Sequence, residues 1–155
     1  HGTDVETLSK AVRYLERNYG DVTVLTHACH GDYAPWNTLV LDNKQLYIFD
    51  WEYHHPQTPA LFDLLHFIYM PLRLIRKAPP ASTVQQSFDA TLKHYNRLIN
   101  TQNADIDHHP AYILYYLISL GLREYMEHGN TNNYTNGCIE ITLQRLEKDF
   151  TVCAY

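Results

Sequence analysis

Two aspartates and an asparagine, Asp32, Asn37 and Asp50, fall within one stretch, HACHGDYAPWNTLVLDNKQLYIFDWEY, that runs from residue 27 to residue 53. Asp32 and Asn37 are five residues apart, and Asp50 follows thirteen residues after Asn37. The first interval reads as a loop. The second holds two apolar runs, Thr38 to Leu41 and Gln45 to Phe49, around the polar Asp42-Asn43-Lys44, which predicts a β-hairpin. A hairpin brings the chain back beside its start, so Asp50 is expected close to Asn37. Three oxygen-bearing side chains at one rim suit Mg²⁺, a hard ion that takes carboxylate, carbonyl and phosphate oxygens. Phosphoryl transfer from ATP asks for such parts: metal ions to screen the phosphates, and a carboxylate to orient the attacking hydroxyl and take its proton. Asp32 is the candidate base. Asn37 and Asp50 are the candidate metal ligands, with Asp50 the stronger because it brings formal charge. Gly31, between His30 and Asp32, permits a backbone conformation that a Cβ would hinder.

His30-Gly31-Asp32 followed by Asn37 resembles the catalytic-loop signature H-G-D-x-x-x-x-N of the aminoglycoside phosphotransferase and choline kinase group. Phe49-Asp50-Trp51-Glu52 falls where that group keeps its metal-binding aspartate, equivalent to the Asp of D-F-G in protein kinases. Pro59-Ala60-Leu61-Phe62-Asp63-Leu64 resembles the start of the group's next helix, and the resemblance implies that Asp63 ties that helix back to the catalytic loop. It further implies a protein kinase-like fold, ATP as co-substrate with Mg²⁺, and a small hydroxyl acceptor such as an aminoglycoside, a choline-like alcohol or a sugar. By the same likeness His30, Asn37 and Asp50 are counted among the residues around the nucleotide. His30 itself is expected to orient the loop by hydrogen bonding in preference to touching substrate. Glu52, by likeness to the D-F-E of choline kinases, is a further metal ligand or else a solvated rim charge. Trp36 and Trp51 read as packing beneath the loop, or as an aromatic wall for a cationic group.

A complete kinase of this group has a glycine-rich loop and a strand lysine, paired with a helix glutamate, ahead of its catalytic loop. Here 29 residues precede His30, with no glycine-rich loop, and Lys10 falls in a helical pattern. The expectation is a single domain over residues 1–155: a kinase-like C-terminal lobe whose partner is a missing N-terminal nucleotide-binding lobe, and which is inactive alone. Two other functions fit the same residues. One is a non-catalytic interaction module that keeps the kinase shell and binds neither Mg²⁺ nor nucleotide. The other is a metal-dependent hydrolase using the carboxylates with His30.

The elements that must hold these residues read as mostly helical, with one small β-hairpin (α+β). Val5, Leu8, Val12, Leu15 and Tyr19 recur at helical spacing, and Gly20 supplies a stop. Val22 to Leu25 is a short extended run. Ala60 to Lys77 is helical, with Pro71 expected to kink or split it. Ala78-Pro79-Pro80-Ala81 is a break, and Ser82 or Thr83 caps a helix carrying Val84, Phe88, Leu92, Tyr95 and Ile99. A polar loop runs from Asn100 to His109. Pro110 opens a helix to about His128, whose Tyr112, Tyr115, Tyr116, Leu117 and Leu120 read as core. Gly129 to Gly137 reads as an asparagine-rich loop, and Cys138 to Phe150 as the last helix.

Composition narrows the setting. The chain has 155 residues, 45% hydrophobic and 19% charged, enough for one buried core. A net charge of -5 argues against nucleic-acid binding and leans slightly towards a cationic acceptor. Ala60 to Leu74, the longest apolar stretch, is interrupted by Asp63, His66, Pro71 and Arg73, so no membrane partner is expected. No secretory pattern opens the chain, which makes a cytoplasmic location the expectation. Cys29, Cys138 and Cys153 are odd in number and widely spaced, which suggests no disulfide framework. The adjacent pairs His54-His55 and His108-His109 lack the spacing of a zinc finger.

Overall fold

A computed structural model describes residues 2–99 and 109–152. Among these residues five helices dominate: α1 (Gly2–Tyr19), α2 (Phe62–Leu74), α3 (Pro80–Ile99), α4 (His109–His128) and α5 (Asn133–Val152). Four short strands, β1 (Thr26–Cys29), β2 (Thr38–Val40), β3 (Leu46–Ile48) and β4 (His55–Pro59), form two antiparallel ribbons, β1 with β4 and β2 with β3. The class is therefore α+β, mostly helical with a small β part. Among the described residues no helix is long and apolar enough to cross a membrane.

Helix α4 is the hub. Ala111 to Leu114, Tyr116 to Ile118 and Leu120 are all buried, so apolar side chains leave it in nearly every direction. A helix that is apolar all round belongs inside a bundle, and α1, α2, α3 and α5 pack around this one. Of the tyrosines read as core, Tyr112 and Tyr116 are buried, while Tyr115 is only half-buried. Tyr116 meets the rings of Phe62, His66 and Tyr69 edge-on, with centroids 5.2, 6.0 and 5.7 Å away. Such pairs each add about 0.5–1.5 kcal/mol beyond the burial of their area. Gly121 lets α1 approach α4, because a Cβ there would meet the Leu8 side chain at 2.9 Å.

Several boundaries differ from the sequence reading. Beyond the hairpin the chain is not wholly helical. His55–Pro59 is a strand, and its partner β1 begins at Thr26, just after the extended run Val22 to Leu25. Pro71 does not split α2: the helix runs on to Leu74, and Ile75 and Arg76 both donate to the Pro71 carbonyl. Helix α3 starts at Pro80, not at Ser82 or Thr83; Pro79 takes the capping place, its carbonyl accepting the N–H groups of both. Proline suits a first helical position because the donor it lacks would have no partner there. Helix α5 starts at Asn133, so Gly137 lies inside a helix and not at the end of a loop. Asn132 makes the difference: its side-chain oxygen accepts the Tyr134 N–H, and its carbonyl accepts the first helical N–H, from Asn136. Most of the polar loop expected from Asn100 to His109 lies outside the described residues.

Candidate active site

Strand β1 delivers the chain to His30 and Gly31, where it turns. The first turn of α2 anchors that turn: Asp63 accepts the His30 N–H at 2.8 Å on Oδ2 and the Gly31 N–H at 3.0 Å on Oδ1. A carboxylate that accepts two backbone donors makes charge-assisted bonds, roughly twice as strong as neutral ones. Gly31 has φ 82°, and a Cβ there would collide with the Tyr53 carbonyl. Only glycine fits on both counts.

The loop then presents Asp32. Its Oδ1 accepts from His66 Nε2 at 2.8 Å, and its Oδ2 accepts from Asn37 Nδ2 at 2.9 Å. A 3₁₀ turn at Pro35–Asn37, in which the Asn37 N–H bonds the Ala34 carbonyl, folds Asn37 back to Asp32. Asn37 Nδ2 also donates to the Asp32 backbone carbonyl at 2.9 Å. Because both partners are acceptors, the nitrogen of the amide must face them and Oδ1 must face away. Among the described residues that Oδ1 has no hydrogen-bond donor. The Asp32 side chain keeps 23% of its surface exposed. The His66 hydrogen bond above all, helped by Arg123 and Asn37, lowers the Asp32 pKa against the opposing effect of burial, so the carboxyl is ionised near neutrality.

The β2–β3 hairpin sets Asp50. Thr38 faces Ile48 in the ribbon, and the Phe49 N–H reaches back to the Asn37 carbonyl at 3.2 Å. Asp50 is the next residue, so it lies one peptide from the partner of Asn37, as the hairpin argument expected. It is exposed, has φ 69°, and its carboxylate forms no hydrogen bond or ion pair with a described residue. His30, 2% exposed, links the two halves from beneath. Its Nδ1 accepts the Asp32 N–H at 3.3 Å, which leaves the proton on Nε2, and Nε2 donates to the Phe49 carbonyl at 2.8 Å. Both ring nitrogens are thus taken up by backbone groups, one in the loop and one at the end of the hairpin. Trp51 lies against the His30 ring, centroids 4.5 Å apart, and donates to the Ile48 carbonyl at 3.0 Å. Trp36 and Trp51 each keep an exposed side.

Glu52 is exposed in the turn after Asp50; the Tyr53 hydroxyl pKa is raised above all by the charge of Glu127, with a smaller push from Glu52. Among the described residues no three of His, Cys, Asp and Glu gather into a metal-binding group. The Asn37 amide oxygen and the carboxylates of Asp50 and Glu52 have no hydrogen-bond partner among the described residues, and Asp32 keeps part of its surface open.

Two residues at Asp32 escaped the sequence reading. His66 on α2 is 0% exposed, and burial lowers its pKa, so it stands neutral with its proton on Nε2. It sits three residues after Asp63, on the same helix face, and that spacing was the available signal. Arg123 comes from α4 with no local signal at all. Its guanidinium donates to the Gly31 carbonyl at 3.1 Å, lies 4.0 Å from Asp32 Oδ1, and covers the Tyr53 ring at 4.7 Å.

Compared with family models, curated proteins and solved structures, the chain finds no match.

Proposed function

We propose that the chain is the catalytic lobe of an ATP-dependent phosphotransferase, kinase-like in fold, that moves the γ-phosphoryl group to a hydroxyl of a small acceptor. One observation carries this reading: an ionised Asp32, partly open to solvent, is clamped to a buried Asn37 amide whose unbonded oxygen is turned away from it, and the Asn37 carbonyl is bonded to the end of the hairpin that bears Asp50. The donor set fits Mg²⁺, since Asn37 Oδ1 and the Asp50 carboxylate are hard oxygens with no other partner among the described residues. When bound, that ion supplies screening of phosphate charge.

The chain's own part is positioning and proton transfer. Asp32 holds the acceptor hydroxyl by a hydrogen bond from its O–H. As the acceptor oxygen bonds to the γ-phosphorus, the bond from that phosphorus to the bridging oxygen breaks and ADP leaves. The hydroxyl proton passes to the Asp32 carboxylate and from there to solvent. Held groups of this kind lower the barrier chiefly by orientation.

A second lobe that grips the nucleotide belongs to the reading, and the hairpin supports it. Leu39 and Tyr47 on one face, and Val40 and Leu46 on the other, are all exposed, Val40 at 69% and Tyr47 at 57%. A lone two-stranded ribbon is marginal in water. A covering lobe would bury this apolar surface right beside Asn37 and Asp50. A cytoplasmic setting, where ATP and Mg²⁺ are plentiful, goes with the proposal.

The test is turnover of Mg·ATP by the full-length protein over a panel of amino sugars, amino alcohols and sugars. Asp32→Ala is expected to cut turnover by about two to four orders of magnitude, the range for a positioned acid-base group. Asp50→Ala is expected to show mainly as lost metal dependence. Near-normal turnover in Asp32→Ala removes Asp32 as base and ends this reading.

A further inference from the structure

Behind Asp32, on the side away from solvent, lies a chain of polar groups that the mechanism above leaves without a task. His66 and Tyr116 are sealed in the core at 0% and 1% exposure, where apolar side chains would be the cheaper occupants. Yet they are joined: Tyr116 Oη lies 3.2 Å from His66 Nδ1, and His66 Nε2 lies 2.8 Å from Asp32 Oδ1. Asp32 is an acceptor only, so the ring proton sits on Nε2. The Nδ1 lone pair then accepts the Tyr116 hydroxyl proton, which has no other acceptor among the described residues. Each bond enforces the next, and the fold selects one tautomer.

The histidine also shares its helix with the loop anchor. Asp63 in the first turn of α2 fixes the backbone of His30 and Gly31, and His66 one turn later fixes the side chain of Asp32. One rigid element therefore sets both where the loop lies and how its carboxylate is rotated. With Oδ1 held by His66 and Oδ2 braced by Asn37, the carboxylate is fixed in one rotation while its side chain keeps 23% of its surface open.

We infer that His66 is the positioning residue of Asp32: its Nε2–H, set by the Tyr116 hydroxyl, fixes the carboxylate rotamer that receives the acceptor hydroxyl. His66 neither gains nor loses a proton in the step; the proton leaving the hydroxyl ends on Asp32. The inference rests on the phosphotransfer reading and extends it to a residue outside the signature motifs.

The test compares Asp32→Ala, His66→Gln, His66→Leu and Tyr116→Phe in the full-length protein, with Mg·ATP and the acceptor panel, by kcat and by KM for ATP. His66→Leu is expected to lower kcat by about 10- to 100-fold, the scale of a misplaced catalytic group, with KM for ATP unchanged. His66→Gln, whose amide nitrogen reaches towards Asp32, is expected to recover most of that loss, and Tyr116→Phe to fall between. A merely structural histidine predicts equal kcat per folded molecule for Gln and Leu, and that result overturns the inference while Asp32→Ala still reports the base. Full turnover in Asp32→Ala removes the phosphotransfer reading and this inference with it. Nitrogen-15 spectra of the wild-type protein give a readout free of turnover: a proton on Nε2 of His66 is expected, and a proton on Nδ1 rules the arrangement out.

Discussion

His30 Nε2 donates a hydrogen bond to the carbonyl oxygen of Phe49 at 2.8 Å, and so the loop that bears Asp32 holds the peptide that precedes Asp50. The φ of 69° at Asp50 is a left-handed value that an aspartate adopts at some cost. Such a conformation persists only where its surroundings over-determine it. Here the Phe49 peptide is fixed at both ends, its carbonyl by His30 and its N–H by the Asn37 carbonyl. His30→Ala frees one end and also removes the acceptor of the Asp32 N–H, while the side-chain bonds of Asp32 to His66 and Asn37 remain. On the proposed phosphotransfer function, with Asp50 as a metal ligand, the Mg²⁺ concentration for half-maximal turnover is expected to rise about tenfold or more, as when a residue that orients a metal ligand is lost. Titrating the initial rate with Mg²⁺ checks this, and an unchanged midpoint contradicts it.

Gly31 and Gly129 offer a matched pair. Both have positive φ, 82° and 72°, but a Cβ at Gly31 runs into the Tyr53 carbonyl while one at Gly129 meets nothing within 4 Å. Gly129→Ala is expected to cost about 1–2 kcal/mol for the backbone conformation alone. Gly31→Ala adds a clash with backbone and is expected to cost about 1–3 kcal/mol more. Urea unfolding of the two variants measures the difference directly, and equal losses would mean that the loop yields freely at Gly31.

What could be read in advance follows from how local each cause is. The hairpin was legible because its two apolar runs flank a polar turn, and helix α1 because its stripe ends at Gly20. Strand β4 was not: His55, Pro56, Gln57, Thr58 and Pro59 carry no apolar alternation, and proline argues against strands in general. Its prolines are tolerated because a two-stranded ribbon has only edges. The start of α5 was missed because asparagine and glycine lower helix propensity, whereas Gly137 sits where the helix approaches Pro80 of α3, 3.3 Å from a Cβ it does not have. At the candidate site, Asp32, Asn37 and Asp50 could be proposed together because they share one short stretch. Arg123 arrives from another helix, and no pattern within residues 27 to 53 points to it.

Glu124 shows the same limit in the core, and it is a strong point of attack on stability. Its carboxylate takes the Arg73 guanidinium of α2, the Asn132 N–H at 3.0 Å and the Thr135 hydroxyl at 3.0 Å, tying α2, α4 and the start of α5 together. Glu124→Ala leaves a mostly buried guanidinium and two further donors without their acceptor. Breaking a buried pair from one side costs about 3–5 kcal/mol. Glu124→Gln keeps a carbonyl acceptor and is expected to cost clearly less. Thermal unfolding of both variants checks the order, and a wild-type melting temperature for Glu124→Ala would contradict it.

The acid limb of stability carries a second signature of His66. Burial lowers its pKa in the folded chain, against the opposing pull of its hydrogen bond to Asp32, with Arg123 also lowering it and Asp63 raising it. The unfolded chain titrates near the ordinary histidine value, about 6.5. Between the two values the unfolded state binds the extra proton, so stability is fully present above about pH 6.5 and is lost as pH falls from there towards the folded pKa. One such proton gives a slope of at most about 1.4 kcal/mol per pH unit. Asp32, whose pKa is also lowered, contributes loss only further down, below the ordinary aspartate value of about 3.9. Urea unfolding between about pH 5 and 7 should therefore show a smaller fall for His66→Gln than for wild type, since the other histidines are common to both. Parallel curves would mean that the buried ring accepts a proton as readily as a solvated one, which a neutral donor locked between Tyr116 and Asp32 cannot do.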